Sequence, residues 1–125
     1  MSVRVSEVMT NFPHTIGSET SISKASEFMR EYSCRHLPVL DGGRLVGIIS
    51  DRDLNLLEKT QADKSTVASE IMSEDPVVVA PDTDLDEAVK TMLSKNINSL
   101  IVSASEESPW GILTSTDALR YFVNK

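Results

Sequence analysis

The sequence predicts an α+β protein made of two β-α-β-β-α repeats packed as a pseudo-two-fold pair. Three observations predict it. First, Val5-Ser6-Glu7-Val8-Met9-Thr10 returns sixty-three positions later as Ala68-Ser69-Glu70-Ile71-Met72-Ser73. At that offset Pro13 meets Pro76, Thr20 meets Thr83, Ala25 meets Ala88, Met29 meets Met92, Leu37 meets Leu100 and Val39 meets Val102. Second, one extra residue in the 103–109 loop moves the offset to sixty-four, and Gly47, Ile48 and Asp53 then meet Gly111, Ile112 and Asp117. Third, each copy passes through the same alternation of helical and strand spacing. A duplication of the whole chain dictates how core and site are built, and sites in such pairs tend to lie in clefts between copies.

Each repeat opens on a turn of helix, at 6–9 and 69–72, with Ser6 or Ser69 available as its cap. After Pro13 or Pro76 comes an extended segment, His14-Thr15-Ile16 or Val77-Val78-Val79. Ser21 or Asp84 then caps an amphipathic helix. Its buried stripe is Ile22, Ala25, Phe28, Met29 and Tyr32 in the first copy, and Leu85, Ala88, Val89, Met92 and Leu93 in the second. Strands follow at 36–40 and 45–49, joined by the tight-turn signal Asp41-Gly42-Gly43. Their counterparts at 100–103 and 110–113 are joined by a longer acidic loop that carries Glu106 and Glu107, with Trp110 packed on the sheet. Ser50 or Thr114 caps a last helix whose apolar residues are Leu54, Leu56 and Leu57, or Ala118, Leu119 and Phe122. The polar stretch 60–66 reads as a linker, so the first repeat is 1–59, the second 67–125, and the two make one module.

A chain of 125 residues fits one such module, since each half alone has a marginal core. No apolar run is long enough to cross a bilayer, and the first residues lack a signal-peptide core. Cys34 is the only cysteine, which excludes an intrachain disulfide and a cysteine zinc cluster. These features predict a cytoplasmic protein. The net charge is −7 and uneven: eight acidic residues face seven basic ones up to position 62, and eleven face five beyond it. Such a surface excludes a nucleic-acid backbone partner, which requires clustered Lys and Arg. A small anion can still bind near the arginines of the first half.

These elements, with these residues in them, resemble the CBS (cystathionine-beta-synthase) domain in its tandem form, the Bateman module. The resemblance is carried by Val8-Met9-Thr10, by residues 35–41 from Arg35 to Asp41 and by residues 43–53 from Gly43 to Asp53. In the second copy it is carried by Ile71-Met72-Ser73, by 98–102 and by 111–117. It covers 5–123 and is similar to stand-alone bacterial and archaeal CBS pairs, including acetoin-utilisation regulators. The resemblance implies two clefts between the copies that bind adenosine-containing ligands such as AMP, ADP, ATP or S-adenosylmethionine. It implies a homodimer shaped as a flat disc, and sensing rather than catalysis.

Ser50-x-x-Asp53 and Thr114-x-x-Asp117 each bridge a strand end and a helix start. A capping hydroxyl stands beside free backbone N–H groups that favour an anion. An Asp one turn in can accept two ribose hydroxyls, or it can simply complete a capping pair. The family places its ribose-binding Asp here, which favours the ligand reading. Arg35 and His36 suit a phosphate, while their counterparts Asn98 and Ser99 carry no charge, so the two clefts are not equivalent. The resemblance puts Thr15 at a polar contact to the base, a position that Val78 fills in the second copy. It groups Thr15 with Thr114, Thr116 and Asp117 in one cleft, and 77–79 with Ser50, Arg52, Asp53, Arg35 and His36 in the other. The adenine is expected against apolar side chains and strand backbone around Ile16, Cys34 and Ile97.

Cys34 reads as a small buried filler, and Met9, Met29, Met72 and Met92 as core positions. His14 and His36 are too few for a metal site. No Gly-rich phosphate loop, nucleophile–base pair or metal-ligand spacing is present, so the sequence predicts a non-enzyme with no cofactor. Its expected role is a regulatory sensor of an adenosine ligand, acting on a protein in another chain. The alternative is a structural dimerisation module with vestigial clefts. The dimer is expected on the exposed faces of the amphipathic helices, where Tyr121, Phe122 and Val123 leave apolar surface to cover.

Overall fold

A computed structural model describes residues 3–59, 65–104 and 110–125, and the rest of the predicted linker and the acidic loop around Glu106 and Glu107 lie outside them. In chain order, a 3-10 turn at Val5–Glu7 is followed by β1 (Thr10–Asn11), β2 (Ile16–Gly17), α1 (Ile22–Tyr32), β3 (His36–Asp41), β4 (Arg44–Ser50) and α2 (Asp51–Lys59). The second repeat contributes α3 (Ala68–Ile71), β5 (Ser73–Glu74), β6 (Val78–Val79), α4 (Leu85–Lys95), β7 (Ser99–Val102), β8 (Gly111–Thr114) and α5 (Ser115–Asn124). The mixed α+β architecture is the one predicted.

The contacts divide the chain into two compact units. One is continuous, His14–Pro76, and the other is composite, the residues up to Pro13 together with Val77–Lys125. Each repeat therefore sends its lead into the unit built mainly from the other repeat. In the continuous unit the sheet order is β2-β3-β4-β5, with β2 parallel to β3 and the remaining pairs antiparallel. In the composite unit it is β6-β7-β8-β1 with the same pattern of directions. The parallel pairs are reached through α1 and α4, the crossover such a pair requires.

Periodicity accounts for the helices. In α1, Ile22, Ala25 and Met29 are buried at three-four spacing, and the Ser21 hydroxyl accepts the Lys24 N–H at 3.1 Å. A residue in left-handed backbone ends both long helices, Ser33 (φ 53°) and Asn96 (φ 55°), and turns the chain back toward the sheet. The β3–β4 hairpin closes through Gly42 (φ 59°) and Gly43 (φ 84°), flanked by the Asp41–Arg44 pair, as the primed two-residue turns require.

Each lead is needed by its unit's core. In the continuous unit Ile16, Ile22, Ala25, Met29, Leu37, Val39, Ile49 and Leu54 enclose Ala68, which belongs to the second repeat. In the composite unit Leu85, Ala88, Met92, Leu100, Val102 and Leu113 enclose Val5, which belongs to the first. Backbone bonds fix the entry of each lead: Val5 N–H to Thr83 O and Leu85 N–H to Val3 O, with Ala68 N–H to Thr20 O and Ile22 N–H to Thr66 O in the other unit. Burying a valine such as Val5 stabilises its unit by about 1.5–3 kcal/mol.

Several local expectations need correction. Ser6 and Ser69 do not cap the leading turns, which begin one residue earlier. The Arg4 and Val67 N–H groups are instead accepted by the Glu7 and Glu70 carboxylates, at 2.8 and 3.4 Å. Asp84 occupies the N-cap position of α4 but its side chain makes no capping hydrogen bond. The leads also form the strands β1 and β5, which the sequence reading did not contain. Trp110 bonds through its backbone to Val102 and Phe12, but its ring is half exposed rather than packed on the sheet. Of the predicted stripes, Leu56, Leu93 and Leu119 lie at the surface. So does Tyr32, where it stacks on His14 with ring centroids 4.0 Å apart.

Candidate functional site

Each unit carries one strand-to-helix junction with the same geometry. In the continuous unit β4 ends at Ser50 and α2 begins at Asp51, so the chain reverses and the first helical N–H groups need partners from outside the helix. The Ser50 hydroxyl accepts the Asp53 N–H at 3.2 Å, and Asp53 Oδ2 accepts the Ser50 N–H at 3.0 Å. The β3–β4 register sets His36 directly opposite Ser50, and Asp51 N–H donates to Arg35 O at 2.9 Å. Arg35, His36, Ser50, Arg52 and Asp53 are thus gathered at one end of this unit. Arg35 and Arg52 are exposed there.

The composite unit repeats this at β8 and α5. Thr114 accepts the Asp117 N–H at 3.1 Å, and Asp117 Oδ2 accepts the Thr114 N–H at 3.0 Å. Ser99 lies opposite Thr114, and Ser115 N–H donates to Asn98 O. Thr116 is exposed in the first turn of α5. Asp117 differs from Asp53 in its surroundings. It is only 9% exposed, the Thr10 hydroxyl donates to both carboxylate oxygens at 3.4 Å, and Arg120 Nη1 stands 3.8 Å from Oδ1. An open groove of about 270 Å³ runs beside this pair, lined by Glu7, Val8, Asp117, Arg120, Tyr121 and Asn124 among others.

The remaining candidates are placed as follows. Thr15 is half-buried just before β2, and Val78 is exposed on β6. The Ile16 side chain lies in the core of the continuous unit, so its backbone is the part on offer to a ligand. Ile97 packs against the composite core, with its N–H bonded to Met92 O. Cys34 packs against the continuous core, and burial raises its thiol pKa above the ordinary value of 9.0. That agrees with a filler rather than a nucleophile. Among the described residues no group of three His, Cys, Asp or Glu is placed to hold a metal ion. Nor is any helix long and apolar enough to cross a membrane.

Thr10 and Arg120 were not among the sequence candidates. Arg120 was within reach of a helical i, i+3 argument from Asp117. Thr10 was not, because its contact spans the length of the chain.

The CBS domain model matches residues 5–57 and 68–124. Inosine-5'-monophosphate dehydrogenase of Korarchaeum cryptofilum is 34% identical over 103 residues, covering 82% of this chain. The chain spans 21% of that enzyme's length. Among solved structures, the CBS domain pair of protein MJ0100, in complex with 5′-methylthioadenosine and S-adenosyl-L-methionine, superposes with a TM-score of 0.90 at 27% identity over 98% of each chain. CBSX2 of Arabidopsis thaliana in complex with AMP gives a TM-score of 0.82 at 29% identity over 96% of each chain. With both repeats matched in sequence, and the folded chain superposing on CBS pairs nearly end to end, this protein belongs to the CBS domain family.

Proposed function

We propose that this chain is a regulatory module that senses an adenosine-containing ligand, AMP, ADP, ATP or S-adenosylmethionine, and carries no catalytic step of its own. One observation carries the reading: the Ser/Thr-x-x-Asp box is present twice, at a strand-to-helix junction, in a chain similar to pairs solved with such ligands. In this reading the Asp53 and Asp117 carboxylates accept the ribose hydroxyls, and Arg35, His36 and Arg52 favour phosphate. Thr15, Val78, Thr116, Ile16, Cys34 and Ile97 border the base and sugar. No resident cofactor is required. The output passes to a protein in another chain, and the ligand acts as a switch only by favouring one geometry of the module over another.

A homodimer and a cytoplasmic location belong to the same proposal. The dimer is supported by the outer face of α5, where Leu119 is 65% and Val123 81% exposed and Phe122 is partly bare. A second reading, a dimerisation module with a vestigial site, is favoured by one observation: Asp117 already has partners on both oxygens.

A thermal-shift panel on nucleotide-free protein tests the proposal. A ligand at a hundred times its Kd adds about 2.7 kcal/mol, which raises the midpoint of a chain this size by roughly 8–15 °C. A shift with AMP, ATP or S-adenosylmethionine that is absent with GMP is expected. No shift with any adenosine compound would leave the dimerisation reading.

A further inference from the structure

The two boxes share one backbone geometry but not one state of the carboxylate. A carboxylate offers about four acceptor positions on two oxygens. In both units one of these, on Oδ2, is taken by the N–H of the capping residue at 3.0 Å. In the composite unit the Thr10 hydroxyl bridges both oxygens of Asp117, and the Arg120 guanidinium covers Oδ1. In the continuous unit no described residue reaches Asp53 Oδ1. The difference is written in the repeat itself. Thr10 sits opposite Ile112, and its equivalent Ser73 sits opposite Ile48 in the same register, yet the Ser73 hydroxyl makes no hydrogen bond to Asp53. At the position equivalent to Arg120 the first repeat has Leu56, which cannot pair with a carboxylate. Charge differs as well: Arg35, Asp51 and Arg52 surround the Asp53 box, where the Asp117 box has the uncharged Asn98, Ser115 and Thr116.

We infer that the chain fills its two boxes in a set order, the Asp53 box first, and that Thr10 and Arg120 keep the Asp117 box closed until a ligand displaces them. The inference rests on the reading above of both carboxylates as hydroxyl acceptors. A ligand diol meets an open oxygen at Asp53, and a phosphate there meets two guanidinium groups. At Asp117 the same diol must break the Thr10 bonds and move Arg120 aside. Arg120 can swing, since it is 67% exposed and borders the open groove. The Thr10 bonds are long, and an exposed ion pair contributes little, so closure lowers affinity by about three- to tenfold and does not abolish binding. Thr10 and Arg120 are therefore selectivity-setting residues of the second site.

Calorimetric titration of the full chain with AMP and with neutral adenosine tests the order. Asn at either Asp keeps the acceptor of the capping box, so Asp53→Asn and Asp117→Asn chains fold. Asp53→Asn is expected to remove the tighter event and Asp117→Asn the weaker. AMP is expected to exceed adenosine in affinity only in the tighter event. The paired substitution Thr10→Val with Arg120→Gln is expected to strengthen the weaker adenosine event by about three- to tenfold, or to bring it into view where the parent shows one event. Loss of the tighter event in Asp117→Asn, or a paired variant whose second event is unchanged, overturns the inference. Failure of AMP and adenosine to bind any of these chains overturns instead the functional reading on which it rests, and the two failures are thus distinct.

Discussion

Gly111 and Gly47 hold the same position in the two units, each beneath the methionine of a lead that comes from the other repeat. A Cβ placed on Gly111 would clash with Met9 Sδ and lie 2.9 Å from Thr10 O. On Gly47 it would clash with Met72 Sδ and lie 2.7 Å from Met72 Cγ and 2.8 Å from Ser73 O. The sulfur can move, because methionine has three rotatable bonds, but the carbonyl oxygens belong to β1 and β5, whose few ladder bonds hold the leads in place. Overpacking of this kind costs about 1–3 kcal/mol, and a weakened ladder bond adds roughly 1 kcal/mol. Gly111→Ala and Gly47→Ala are therefore expected to cost about 2–4 kcal/mol each, or roughly 7–15 °C in midpoint for a chain of this length. Gly17→Ala is the internal control, since its Cβ would meet only Thr20 Oγ1 at an ordinary 3.7 Å. It is expected within about 0.5 kcal/mol of the parent. Urea unfolding followed by circular dichroism measures all three. Adding Met9→Ala to Gly111→Ala should restore part of the loss and no more, because the Thr10 carbonyl remains. The reasoning is refuted if Gly111→Ala or Gly47→Ala unfolds with the parent, or if Gly17→Ala costs as much as either.

Capping gives a second contrast: Ser21→Ala should cost about 1 kcal/mol, because its hydroxyl accepts the Lys24 N–H, and Asp84→Ala less than half of that, both by urea unfolding. Phe12 is 81% exposed with φ 49°, a left-handed conformation that disfavours bulky side chains, so Phe12→Asn should raise stability by roughly 0.5–1 kcal/mol. The folded Cys34 thiol holds its proton to higher pH than the unfolded one, so its contribution to stability is constant below the unfolded pKa and falls as pH rises above it. Iodoacetamide should accordingly modify Cys34 more slowly in the native chain than in urea, and the stability deficit above about pH 9 should vanish in Cys34→Ala.

What the sequence made legible follows from which forces are local. The α1 stripe, the Ser21 cap, the Gly42–Gly43 hairpin and the two Ser/Thr-x-x-Asp boxes each depend on residues within a few positions of one another. Periodicity and turn chemistry report such interactions well. The leads carry no such local signal. β1 and β5 are two residues long, too short for any periodic signal, and their pairing with β8 and β4 is long-range. Ser6 and Ser69 suggest caps because serine is favoured at N-caps, yet the caps are Arg4 and Val67, whose N–H groups Glu7 and Glu70 accept. The Thr10–Asp117 contact, which separates the two boxes, follows from that long-range pairing and so had no local trace. Asparagine and serine at 98 and 99 did signal inequivalence from sequence, but through charge at the rim rather than through the carboxylate itself.

The most direct test of the account is an amide-resolved NMR titration of nucleotide-free protein with AMP, repeated with GMP. The account predicts saturable shifts centred on the amides of Ser50–Asp53 and Thr114–Asp117 with AMP, the first set moving at lower ligand concentration, and none at these positions with GMP. Shifts confined to the outer face of α5, equal responses to AMP and GMP, or no response at either box would contradict it.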